Sequence, residues 1–232
     1  MWSKEFEKLK NSYWRYFWEL GKDFATTRKF VEFDQGNYQT FSIEYLKLYQ
    51  AICSEIDVLG KELAQQFDPS FVPEERRNNI YKWWLVVADK ARFYEKIDGD
   101  IRTTKLDDVE VTFDMKIKVR PWENFRVEKA VAKDGKHIIK LTEGAKSPSW
   151  WNDYNSVKHH RTGKLKKTEA INYTKANLFN VIQSYSALYI LEKAYMYQIG
   201  TKQDLEGFVD EMGLFGFEIS EISNQAIDAL FE

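Results

Sequence analysis

Residues 168–200, "TEAINYTKANLFNVIQSYSALYILEKAYMYQIG", constrain the fold more than any other part of the chain. Ile171, Leu178, Ile182, Tyr185, Tyr189 and Met196 recur on one helical face, and Val181, Leu188 and Tyr195 lie beside it. A helix apolar over so broad an arc is stable only when other elements cover it. The spacing therefore predicts a long, broadly buried helix over about 168–199.

The first hundred residues supply candidate neighbours. Trp2 and Ser3 form a hydrophobic staple and N-cap, and Phe6, Leu9, Tyr13, Phe17 and Leu20 follow at helical spacing, predicting a helix over about 3–21. Residues 25–41 lose that period and contain Gly36 and Asn37, so they read as a loop leading to Ser42 as the next N-cap. The second helix, about 42–66, carries Tyr45, Leu48, Ile52, Ile56, Leu59 and Leu63 as one stripe, with Glu55 on its flank, where a carboxylate needs a partner. "FDPSFVP" then breaks the chain, and Pro73 opens a third helix through Ile80, Trp84, Val87, Ala91 and Tyr94 to about residue 98.

After Gly99 the period changes from helical to alternating. "VEVTFDMKIKV", residues 109–119, places Val109, Val111, Phe113, Met115, Ile117 and Val119 on one face of a strand. "FRVEKAVAKDGKHIIKL" adds two short strands around Asp134-Gly135, a tight-turn dipeptide, with His137 a surface side chain beside that turn. Residues of about 105–143 thus read as a small antiparallel β-sheet inserted between helices. The tail, 202–232, is acidic with interspersed Phe208, Leu214, Phe215, Phe217 and Ile219, and reads as one or two short helices at an edge.

Composition settles the class. A hydrophobic share of 44% with 16% aromatics excludes a disordered chain, and a net charge of -2 leaves no global field to draw the protein onto nucleic acid, so any such contact rests on a local patch. The single cysteine, Cys53, excludes an internal disulfide and a cysteine-rich zinc site and suits a reducing compartment. The N-terminus lacks the apolar core of a signal peptide, and no apolar run is long enough for a membrane span. A cytoplasmic protein with no membrane partner is expected, of mainly α class, as one domain over 1–232.

The chemistry concentrates in "SPSWWNDYNSVKHHR", residues 147–161. Ser147 as N-cap and Pro148 as the first helical residue predict a helix over about 148–161. Trp150, Tyr154 and Val157 line its inner face, while Asn155 and His159, four apart, share the adjoining polar edge with Asn152. Lys158, Arg161, Lys164, Lys166 and Lys167 follow with no intervening acid, a local patch able to neutralise phosphates. Metal-independent RNA cleavage asks for a histidine near a cation, so His159 is the candidate acid or base. Asn155 would orient it or the phosphate, and Lys158 or Arg161 would stabilise developing charge. His159 and His160 point about 100° apart and are poorly placed to share a metal; no metal or cofactor is expected.

"SEIDVLGK" on the second helix, the strand-rich insert, "PSWWNDYNSVKHHR" and "TKANLFNVIQSYSALYILEKAY" together resemble a group of bacterial proteins of the HEPN superfamily, over roughly residues 38–197. The most specific part is Trp150-Trp151, Tyr154-Asn155 and Lys158-His159. The resemblance implies a HEPN-like antiparallel helical bundle that forms homodimers. It also implies RNA as a partner, a place in a defence, toxin–antitoxin or stress system, and an antitoxin-like protein as a further partner. Active members are metal-independent ribonucleases whose motif is an arginine, four to six residues, then a histidine. His159 matches that histidine and Asn155 the polar residue after the arginine, but Tyr154 stands where the arginine belongs. A tyrosine cannot offer a phosphate the bidentate cation of a guanidinium.

Three readings of the motif helix follow: a nuclease built on His159, Asn155, Lys158 and Arg161, with Tyr154 and a buried Glu55 behind them; a binding module using Lys164, Lys166 and Lys167; and a structural or interaction module forming a homodimer.

Overall fold

The computed structural model describes residues 2–75, 79–97, 100–114, 116–164 and 170–208. The N-terminal helix forms as its sequence dictates, with Ser3 accepting from the Phe6 N–H at the start of α1 (Lys4–Leu9). One π-helical turn (Lys10–Trp14) carries the same path into α2 (Arg15–Thr27), six residues beyond the expected end at 21. Phe24 explains the extension: it is buried between Phe33 at 4.8 Å and Phe113 at 5.5 Å, contacts that local spacing does not reveal. Ser42 caps α3 (Ile43–Phe67) through the Tyr45 N–H, as its position predicts.

The third helix is shorter than its apolar spacing predicts. Helix α4 covers Ile80–Lys90, starting at the cap Asn79 rather than Pro73 and ending before Ala91 rather than near residue 98. The chain then turns extended, and β1 (Phe93–Ile97) pairs antiparallel with β2 (Asp100–Thr104). Tyr94, which extends the helical stripe on paper, and its neighbour Phe93 instead pack against α6 (Leu178–Ile199), with Phe93 6.2 Å from Tyr189 and Tyr94 5.1 Å from Tyr197.

Among the described residues the expected insert, about 105–143, holds two separate two-stranded units rather than one sheet, and the β1–β2 pair precedes it. Residues 109–119 are a hairpin, not a single strand: β3 (Val111–Phe113) pairs with β4 (Ile117–Val119) across a turn in which Asp114 adopts φ 53°. A three-residue turn returns the alternation in phase, so Val111, Phe113, Ile117 and Val119 are all buried. The expected hairpin at Asp134-Gly135 is present, with β5 (Val127–Val131) against β6 (His137–Leu141) and Gly135 at φ 82°.

Helix α5 covers Ser149–His160. Helix α6 begins ten residues later than the apolar pattern suggests, because the Asn177 side chain accepts from the Asn180 N–H and defines the start, while Asn172–Lys175 forms a 3-10 turn. In α7 (Lys202–Gly207) Thr201 and Asp204 form a capping box, and Asp204 also accepts from the Ser3 N–H at 2.8 Å and the Ser3 hydroxyl at 2.7 Å. That carboxylate ties the start of α1 to the start of α7. The rest of the tail, 209–232, lies outside the described residues.

One continuous core joins these elements, built on α3 against α6 with the N-terminal helix, α4 and α5 around them. At its α4–α5 end the buried tryptophans Trp83, Trp84, Trp122 and Trp150 form an aromatic block. Trp84 stacks on Trp122 at 4.4 Å and Trp122 meets Trp150 edge-on at 5.3 Å. Every indole N–H in the block has an acceptor: Asp57 Oδ1 for Trp83, the Phe125 carbonyl for Trp84, the Ala187 carbonyl for Trp122 and the Pro121 carbonyl for Trp150. Buried N–H groups left unmade would each cost about 1–3 kcal/mol, so this pairing holds α5 in one position on the core.

Candidate functional site

Helix α5 presents its faces as its phase predicts. Trp150, Trp151, Tyr154 and Val157 are buried, Asn155 is half-buried, and Lys158, His159, His160 and Arg161 are exposed. Ser147 departs from the expected role. Its side chain does not cap the helix; it accepts from the Tyr81 hydroxyl at 3.0 Å and donates to Asn152 Oδ1 at 2.9 Å, which links α4 to α5. The neighbouring Asp153 ties α5 to the 3-10 turn and to α6, taking Lys175 at 2.8 Å and the Asn180 amide at 3.2 Å.

Between α3, α5 and the start of α4 lies a cleft of about 310 Å³, lined by Ser54, Asp57, Asn79, Ile80, Tyr81, Trp151, Tyr154, Asn155 and Lys158. Asp57 receives the Trp83 indole N–H at 3.1 Å on one oxygen and the Lys61 ammonium at 2.6 Å on the other. Asn79 uses its side-chain oxygen to accept from the Tyr81 N–H. Asn155 donates its amide to the Trp151 carbonyl of its own helix at 3.1 Å. The Lys158 ammonium stands over the Tyr154 ring, 5.4 Å from its centroid. Burial, and then proximity to Cys53 and Asp57, push the Tyr154 phenol up to about 12, so at neutral pH it is a hydrogen-bonding group with no charge.

The structure thus brings three of the sequence-derived site residues, Tyr154, Asn155 and Lys158, to one cleft. His159, Arg161 and Lys164 are exposed and do not line it. Lys166 and Lys167 lie outside the described residues. Glu55 faces elsewhere: it lies near Tyr13, Tyr16 and Glu192, toward the N-terminal helix and α6, and burial raises it above the usual carboxylate range. Its acidic neighbour Glu192 is wholly buried with no hydrogen-bond partner on either oxygen among the described residues, and burial and then Glu55 hold it well above that range. Both carboxyls therefore favour the neutral form.

Sequence reasoning missed Ser54, Asp57, Asn79 and Tyr81. Asp57 had a legible signal in the Asp57–Lys61 pair at i,i+4, but that pair resembles an ordinary surface bridge. Asn79 directly precedes the "IYKWW" run, a cap position masked by the stronger proline signal at 73.

A larger cleft of about 720 Å³ opens between α2 and α3, lined by Leu20, Val31, Tyr45 and Leu48 among others, with Glu19, Asp23 and Glu44 around it. None of the sequence-derived site residues reaches it. Cys53 is fully buried and its thiol is pushed up by burial, so it is not a nucleophile. No cluster of three or more metal-ligating side chains occurs among the described residues, and no described helix is long and apolar enough to cross a membrane. Comparisons with protein-family models, with curated proteins and with solved structures find no match.

Proposed function

We propose that this chain is a HEPN-like RNA-binding protein that holds single-stranded RNA along α5 without cleaving it. The observation that carries this reading is a cleft lined by a cation at the start of an exposed basic run. Lys158 lines the polar and aromatic cleft, and His159, His160, Arg161 and Lys164, which follow it in the chain, are exposed. A strand lying on that edge would meet cations for its phosphates and, one helical turn away, an aromatic cleft for a base.

Binding is favoured over cleavage by the same geometry. Asn155, the residue expected to orient His159, gives its amide to the Trp151 carbonyl instead. Tyr154 is 5% exposed and neutral, and supplies no charge to a phosphate. A place in bacterial defence, toxin–antitoxin or stress response belongs to this reading through the HEPN resemblance.

The test is purified protein with fluorescent single-stranded RNA in EDTA, followed by anisotropy over a salt series and by product analysis on gels. Salt-dependent binding with intact RNA is expected. Cleavage abolished by His159→Ala would replace the binding reading with the nuclease one, and absence of binding would leave the structural, dimer-forming reading.

A further inference from the structure

We infer that the α5 cleft selects guanine, with the Asp57 carboxylate accepting the adjacent N1–H and N2–H donors of the base. This rests on the RNA-binding reading and names the base that such a strand would place there. The case is a balance of donors and acceptors. A carboxylate offers about four lone-pair sites, and Trp83 and Lys61 occupy one on each oxygen of Asp57, leaving one site free on each. Two parallel acceptors match an edge with two neighbouring donors. Guanine has that edge, whereas adenine and cytosine set an acceptor beside their donor and uracil flanks a single donor with two acceptors.

The rest of the lining completes the match. Asn79 commits its oxygen to the Tyr81 N–H, so its NH2 group is the part left to donate toward a guanine acceptor such as O6. Lys158 supplies a cation at the mouth for the phosphate. Tyr81 is held for stacking by its hydroxyl on Ser147 and by edge contact with Phe125 at 5.6 Å, and the residue is 42% exposed. A cleft of about 310 Å³ sits at the small end of ligand sites, which run from roughly 300 to 1,000 Å³. It suits one nucleoside and no second base.

The experiment compares 5′-mononucleotides by calorimetric titration and, separately, oligouridylates carrying one central guanine, inosine or adenine. GMP is expected to bind about ten-fold or more tightly than IMP, which lacks the 2-amino donor, and than AMP, CMP or UMP. Asp57→Asn replaces one acceptor with a donor while keeping an oxygen for Trp83, so it is expected to reverse the order and favour xanthosine monophosphate, whose C2 carries an oxygen. Equal binding of GMP and IMP by the unaltered protein overturns the inference whether or not the variant folds. RNA binding without a guanine preference overturns it while leaving the RNA reading intact. Guanine-selective mononucleotide binding without RNA binding overturns the RNA reading and leaves the site.

Discussion

The Lys158 ammonium lies 5.4 Å from the centroid of the Tyr154 ring, one helical turn away on α5. Position 154 is a buried aromatic ring, and the next turn of α5 sets a cation over it. The ring holds the ammonium at the mouth of the cleft at modest energetic gain, on the order of 0.5–1 kcal/mol for an exposed cation–π pair.

The two partners of that contact have separable jobs. Lys158→Ala is expected to leave stability within about 0.5 kcal/mol, because the side chain is exposed, and to lower the slope of log affinity against log salt by roughly one unit. Tyr154→Ala removes a 5% exposed ring from the core and is expected to cost about 3–5 kcal/mol in urea unfolding. Equal stability loss in the two variants would contradict this division.

His159 is exposed, and among the described residues no hydrogen bond or ion pair places its side chain in the core. His159→Ala is therefore expected to change the unfolding free energy by no more than about 0.5 kcal/mol. A loss of about 1–3 kcal/mol in stability, measured by urea titration, would place the imidazole in a buried contact at a dimer interface instead.

Gly60 on α3 faces the Trp83 ring of α4. A Cβ there would lie 2.7 Å from the Trp83 ring. Gly60→Ala must displace the indole whose N–H holds Asp57. The expected cost is about 1–3 kcal/mol of stability from overpacking, together with weakened RNA or nucleotide binding. Retained binding at full strength, measured by anisotropy under folding conditions, would show that Trp83 does not position Asp57.

Glu192 gives the stability a pH dependence of definite sign. Burial and then the Glu55 carboxyl raise its folded-state pKa well above the ordinary glutamate value of 4.5, so the folded protein binds this proton more tightly than the unfolded chain. The contribution is fully present below 4.5 and is lost as the pH rises through the folded value. Glu192→Gln, which cannot ionise, is expected to flatten the decline of the urea midpoint as the pH rises above the ordinary glutamate value of 4.5. Parallel declines in both proteins would count against it. Glu55, raised by its own burial, acts in the same direction and leaves part of the slope in place.

The sequence by itself determined the helical stripes, the caps at Ser3 and Ser42, the hairpin at Asp134-Gly135 and the inward face of α5. These are local quantities: a 3.6-residue period, a side-chain oxygen three residues from an N–H, a dipeptide tolerant of positive φ. Only the tertiary structure decided where α4 stops, because Tyr94 fits a helical stripe and a strand equally well until Tyr197 on α6 receives it, beside the contact of Phe93 with Tyr189. It likewise separated Glu55 from the motif helix and put Asp57 there, two residues on and about 200° around the same helix. Phase along one helix says which residues share a face. Which neighbour that face meets is set by packing between segments distant in the chain, and the composition of the cleft is decided there.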